Sequence, residues 1–413
     1  MKVFLIVAAV ALSLPGYAQY KFENAVYKDN IRSVRLHADG DYQYLSSVAS
    51  LEQQNLVLEF DALSSQKAYY FVKLINATQE WKKSPLANLD FLSVYNEFSI
   101  DDYQYSNNHS APYIHYKIVL PKVKVPGNYL ILTYQDSEGN PVLTQRMMVY
   151  DHQLGFSRNH EFNGLGNLET AHQSFNFFVS YNSDIINPSQ NITVIMRQNQ
   201  RWDNARTLTP FSTREDVRRL EYRQTDVKDQ FLGGNEFRFI DFRSLYSPGQ
   251  NIARIDMNKK PIEVTVNADK PRGDEAYAQY LDMNGNYYTQ ADPSGTDPSG
   301  NGENYVNVNF KLASPPLKSD VYVMGAFNNW TKTEENKMIY DAASGSYGAV
   351  LFLKQGFYNY LYWSDDKTNG FEIEGSHFET ENGYEALIYY RSLQPRTDLL
   401  LGYFSTVVNP RQR

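Results

Sequence analysis

The sequence predicts an all-β protein made of tandem β-sandwich domains, on two features of composition and one of pattern. Its 413 residues include 33 tyrosines and 23 phenylalanines, and aromatic side chains fit the half-buried, pleated surface of a sheet. Long alanine or leucine runs of the helical kind are few. Segment after segment alternates apolar with polar residues at a period of two, the mark of a strand with one covered face.

The first twenty residues, MKVFLIVAAVALSLPGYAQY, read as an export signal. Lys2 supplies the positive start, Val3 to Leu14 the apolar stretch, and Gly16 and Ala18 the small residues before a cut ahead of Gln19. A spanning helix needs roughly twenty apolar residues, so residues 1–18 are expected to be cleaved rather than to cross a membrane. No later stretch is apolar enough to span a bilayer as a helix. The absence of cysteine rules out cysteine nucleophiles, Cys-ligated zinc and a lipidated cysteine anchor. A chain of this length suggests two to four domains and can bury sizeable cores without disulfides. A net charge of −8, with no Lys/Arg cluster, argues against a nucleic-acid surface.

Residues 19–150 are expected to form the first sandwich. NLVLEF sets Leu56, Leu58 and Phe60 on one face, and YIHYKIVL does the same with Ile114, Tyr116, Ile118 and Leu120. GNYLILTY, a turn from Asp136 to Asn140, and TQRMMVY make a closing hairpin. The number of short strands matches an immunoglobulin-like sandwich. Residues 151–304 are expected to form a middle β-rich domain containing FNFFVSY, NITVIMRQN and NEFRFIDFRSL. TREDVRRLEY, in the same region, reads either as a short helix or as a solvated strand edge. Its last part, 291–304, is a Gly/Ser/Pro/Asp loop with too little apolar area to be held and is expected to be mobile. Residues 305–413 are expected to form the last sandwich. It opens on the alternation of Val306, Val308, Phe310 and Leu312 and ends with YEALIYYRS and DLLLGYFS.

Catalytic templates are missing: no Gly-x-Ser-x-Gly elbow, no His-Glu-x-x-His helix and no phosphate loop. GLGN at 164–167 has neither a third glycine nor a strand before it. His109 and His115 lack a third ligand at metal spacing and read as hydrogen-bonded surface groups. Asp292, Asp297, Asn301 and Glu303 lack the spacing of a calcium loop and read as solvated. Asp365, Asp366, Glu372 and Glu374 lie near aromatics, as a glycosidase pair would, yet loop carboxylates ordinarily serve solubility. No enzyme, catalytic residue, metal or cofactor is expected.

VYVMGAFNNW, followed by MIYD and GSYGAVLFLKQGFYNYLYW, resembles the early-set sandwich of glycogen-binding modules. Trp330 matches that family's first sugar-stacking tryptophan, with Asn329 beside it. Trp363 falls inside the strand, where the family's second platform lies in a loop beyond it. The alternative function is therefore an exported carbohydrate-binding protein acting through Asn329 and Trp330, against a plainer reading in which Phe327 and Trp330 close a sandwich corner.

A wider resemblance covers essentially the whole mature chain. IRSVRLH, LVLEFDAL, Trp81-x-x-Ser84-x-Leu86, SIDDYQYS, YIHY, PGNYLILTY and RMMVY occur in an order similar to that of the periplasmic Plug family of the type IX secretion system. QNQRWDNA, GGNEFRFIDFRSL, SHFETENGYEALIYYRS and RTDLLLGY continue the match. Met147 stands where that family has an aromatic, and the stretch from Leu74 to Trp81 lacks its His-Cys pair; both departures concern packing. The resemblance implies a non-enzymatic periplasmic protein, associated with the outer membrane, that plugs or gates the mouth of a large translocon β-barrel. Within it, Asn235, Phe237, Arg238, Phe239 and Arg243 are the candidate partner-facing residues, because two arginines there flank aromatics. The competing reading of the same stretch is an ordinary buried strand with snorkelling arginines.

Overall fold

The computed structural model describes residues 20–107, 111–158, 171–291, 301–365 and 371–410. The expected signal segment, GLGN at 164–167, His109, Asp292, Asp297, Asp366 and most of the 291–304 loop lie outside them. The described chain is all-β; its two α-helices, Asn88–Phe91 and Pro188–Asn191, are one turn each.

The first sandwich pairs a sheet ordered Ile31–Ala38, Leu56–Ala62, Ile114–Val119, Asp102–Tyr105 with a six-stranded sheet centred on Phe71–Ala77, Gly127–Tyr134 and Pro141–Tyr150. Leu58, Phe60, Tyr116, Leu74 and Ile131 meet between them, and Met147 fills a place in the same core. The Phe60 and Tyr116 rings stack with centroids 5.3 Å apart while Tyr70 meets both edge-on, the geometry aromatic quadrupoles prefer. Leu56–Ala62 is buried on both faces. Its even-numbered apolar residues face this core, and Glu59 and Asp61 face another part of the chain.

The second sandwich sets Gly155–Arg158, Asn176–Ser180, Arg219–Arg223, Ser212–Arg214 against Arg206–Leu208, Ile192–Gln198, Asn382–Arg391, Asp398–Val408. TREDVRRLEY resolves as an edge hairpin: strand Ser212–Arg214, the 3-10 turn Glu215–Val217, then strand Arg219–Arg223. YEALIYYRS and DLLLGYFS were expected in the last sandwich, but Asn382–Arg391 pairs along its length with Ile192–Gln198. Alternation reveals that a strand has a covered face and not which strand will cover its edge. The chain thus returns to complete the second unit after building the third.

That third unit is one nine-stranded sheet, ordered Arg238–Asp241, Gly356–Ser364, Val321–Met324, Lys337–Asp341, Ser346–Lys354, Tyr305–Ala313, Glu263–Val266, Ile252–Asp256, with Tyr287–Thr289 also on Gly356–Ser364. Ile240 and Ile252, from opposite ends of this order, share one core, so the sheet curls over itself. Val306, Val308, Phe310 and Leu312 all enter that core, as their alternation predicts. NEFRFIDFRSL was expected in the middle domain. Its strand Arg238–Asp241 instead pairs with Gly356–Ser364 in this third sheet.

Candidate interaction surfaces and an interdomain cleft

Glu59, Asp61 and His115 leave the first sandwich on the face turned to the third unit. Asp61 is fully buried and accepts from His115 Nδ1 at 2.7 Å, from Tyr305 Oη at 2.7 Å and from Lys354 Nζ at 2.8 Å. Lys354 ends the strand Ser346–Lys354 and also lies 3.6 Å from Glu303 and 4.4 Å from the centre of the Tyr113 ring. Burial opposes ionisation of Asp61, yet the charge of Lys354 and the His115 hydrogen bond prevail and hold its carboxyl below the usual range. For Glu59 burial is likewise overcome, by the His37 hydrogen bond and by the charges of His115, His37 and Arg35, leaving it at about 2. An ionic network of this kind, desolvated and hydrogen-bonded at Asp61, fixes orientation more than it adds net stability. The cluster locks two units in one register.

A second junction joins the first unit to the second. Ala77, Trp81 and Met148 pack against Ile195, Leu387, Tyr389 and Leu400. Trp81 and Trp202 meet edge to face at 5.3 Å, and Arg146 lies over both rings at 4.5 and 4.8 Å. Arg197 stacks on Trp202 at 4.5 Å and pairs with Glu385 at 2.6 Å.

All three units border a cleft of about 940 Å³. The first contributes Lys28, Arg32 and Arg146, the second Arg197 and Trp202, and the third Trp330. Trp330 sits under the Arg201 guanidinium, 4.2 Å from its ring centre, with Phe237 at 5.6 Å. Gly285, at φ +82°, lies so close beneath that a Cβ there would come 2.7 Å from the indole. Trp330 therefore closes the junction of the second and third units, and these neighbours occupy ring area that a sugar would need. Asn329 is exposed, in a left-handed conformation, and meets Asn24 at 3.4 Å. Trp363 packs against Phe371.

The structure divides the five candidate partner-facing residues. Phe237 is buried, and Asn235 donates to the Glu374 carbonyl. Arg238 donates to Glu374 at 2.9 Å and to Asp269 at 2.8 Å, so its charge is satisfied inside the chain. Phe239 stacks on Phe357, and Arg243 pairs with Asp241 at 2.7 Å. Presentation of Phe237 and Arg238 to a partner is thus corrected: Phe237 packs with Tyr322, Met324 and Leu361, and Arg238 is held by Glu374 and Asp269. Glu374 also receives Arg272 at 2.6 Å. Against its burial, Arg238 and Arg272 hold its carboxyl below the usual range, the opposite of what a general acid needs. Asp365 pairs with Lys332, and Asn301 donates to Gln104 at 3.0 Å.

Residues 31–151 match the family model of the type 9 secretion system plug protein first domain. This stretch is a plug-family first domain. It runs from the strand Ile31–Ala38 to the end of Pro141–Tyr150, most of the first sandwich. A hypothetical protein from Parabacteroides merdae ATCC 43184 has a similar crystal structure, with a TM-score of 0.86 and 26% identity over 94% of this chain and 100% of that one. No curated protein matches the chain. No helix among the described residues is long and apolar enough to cross a membrane.

The plug domain carries one surface that sequence reading missed. Leu89, Val94 and Tyr95 are exposed at 76%, 54% and 81%, on the loop between the strands Phe71–Ala77 and Phe98–Ser99. The loop is not slack. Phe91 and Leu92 are buried, Asn96 exchanges hydrogen bonds with Leu74 N and O, and Asn96 donates to Asn88 Oδ1 at 3.0 Å, drawing the loop's ends together. A rigid frame that holds three large apolar side chains in solvent is the form an interaction site takes. Only the spacing of buried Phe91–Leu92 and Asn96 within FLSVYNEF hinted at it.

Proposed function

We propose that this chain is a non-enzymatic component of the type IX secretion system that docks on the periplasmic opening of the large outer-membrane translocon barrel and closes it. The observation that carries this reading is the plug-family domain at residues 31–151. Two structural features support it. The ionic lock at Asp61 and Lys354 and the Trp81–Trp202 junction join the units firmly, as a stopper over a wide pore requires. Leu89, Val94 and Tyr95 then offer the apolar anchors that dominate affinity in a stable protein interface. Export through the signal segment at 1–18 would bring the chain to the periplasm.

The test is mild-detergent purification of a C-terminally tagged chain from native outer membranes after light crosslinking, with partners identified by mass spectrometry. One very large β-barrel at near-equal stoichiometry is the expected partner, lost when Leu89 and Tyr95 are both replaced by Asp. Recovery of the tagged chain alone would overturn the reading.

A further inference from the structure

Among the described residues, Arg146 has no counter-ion at ion-pair distance. Its Nε donates to the Phe22 carbonyl at 2.9 Å and its backbone N–H to Asn24 at 2.8 Å. Its two terminal amino groups donate to no described residue, and no described carboxylate lies within ion-pair distance of it. Glu23, the acid whose charge acts on it, is turned to Lys21 at 3.2 Å. Stacking over Trp81 and Trp202 holds the guanidinium plane in place. Burial, eased by Glu23 and reinforced by the neighbouring charge of Arg197, pulls it down to about 10. A half-buried guanidinium, held by its ring contacts and with its terminal amino groups still open to solvent, is poised for a carboxylate, whose two oxygens fit its fork.

The surroundings narrow the ligand further. Arg146 opens on the three-unit cleft of about 940 Å³, the size of a ligand site. Lys28, on the same wall, donates to Asn140 at 2.7 Å and has no carboxylate at ion-pair distance among the described residues. Arg32 has only Glu335, itself 81% exposed. The strand Ala25–Val26 is the edge of its sheet and lines the cleft, so one side of its backbone is open to pairing. An extended chain can add to such an edge. The chain as a whole is acidic, at −8, whereas in the cleft lining the lysines and arginines outnumber the acids Glu23, Asp29, Asp203 and Glu335.

We infer that the cleft binds an extended acidic polypeptide segment, with Arg146 holding a carboxylate and the Ala25–Val26 edge accepting the backbone. This goes beyond the docking role and does not depend on it, since no residue of the 88–97 loop lines the cleft.

The experiment uses the full mature chain and fluorescein-labelled decaglutamate, which self-repulsion keeps extended, read by anisotropy at about 50 mM salt. Saturable binding is expected, absent with decalysine, and accompanied by a change in tryptophan emission as Arg146 shifts over Trp81 and Trp202. Arg146→Gln is expected to weaken it roughly tenfold or more, and Lys28→Glu, away from the tryptophan stack, to weaken it as well. Circular dichroism melts establish that both variants are folded. No saturable binding by the native chain, or equal binding by both folded variants, would overturn the inference. Free glutamate competing as well as the decamer, residue for residue, would overturn the extended-segment part of it.

Discussion

Lys354 reaches across a domain boundary to Asp61, Nζ to Oδ2 at 2.8 Å, over a separation of 293 residues. Both side chains are almost wholly removed from solvent. Lys354→Met leaves Asp61 charged and short of a partner. Breaking a buried pair from one side costs about 3–5 kcal/mol, so a clear fall in the urea midpoint is expected. Asp61→Asn added to Lys354→Met is expected to recover part of the loss. A double variant no better than the single one would show that Lys354 is not the compensating charge.

The same lock makes stability depend on acid. Glu59 is held at about 2 against an ordinary 4.5, and Asp61 is shifted in the same direction. Because both folded values are depressed, their contribution is fully present above the ordinary carboxylate range and is lost as pH falls through the folded values. For Glu59 alone the loss is on the order of 3 kcal/mol between about pH 4.5 and pH 2. Melting temperatures measured across that window should drop steeply in the native chain and less steeply in Glu59→Gln.

Trp330→Ala tests which role the indole plays. As a junction residue beneath Arg201 and against Phe237 and Gly285, its removal should cost about 2 kcal/mol or more and lower the melting temperature. Calorimetry with an α-glucan should show no saturable heat in the native chain. Binding that Trp330→Ala abolishes without loss of stability would restore the carbohydrate reading.

A chain cut after Glu381 should fail to fold its second sandwich, because Asn382–Arg391 and Asp398–Val408 form half of one of its sheets. The expected outcome is an aggregating product or one with a broad, non-cooperative melt. A soluble truncated chain melting as sharply as the full one would contradict the shared-sheet architecture.

Particular residues show how far the sequence could be read. Val306, Val308, Phe310 and Leu312 were legible because a strand's side chains alternate whatever the strand pairs with. The ordered succession across residues 31–151 was legible too, and the family match rests on that stretch. Arg238 was misjudged because the carboxylates that satisfy it, Asp269 and Glu374, lie 31 and 136 residues away. Arg146 carries no local signal at all: Trp81 and Trp202 reach it from two different units.

By itself, then, the sequence determined the all-β class, the individual strands and their covered faces, since these follow from side chains a few residues apart. Tertiary structure alone decided that the last two strands return to the second sandwich, that Asp61 meets Lys354, and that three units enclose a cleft around Arg146. Edge hydrogen bonds are made by a backbone common to every residue, so the choice of neighbour is settled only when whole faces are buried together.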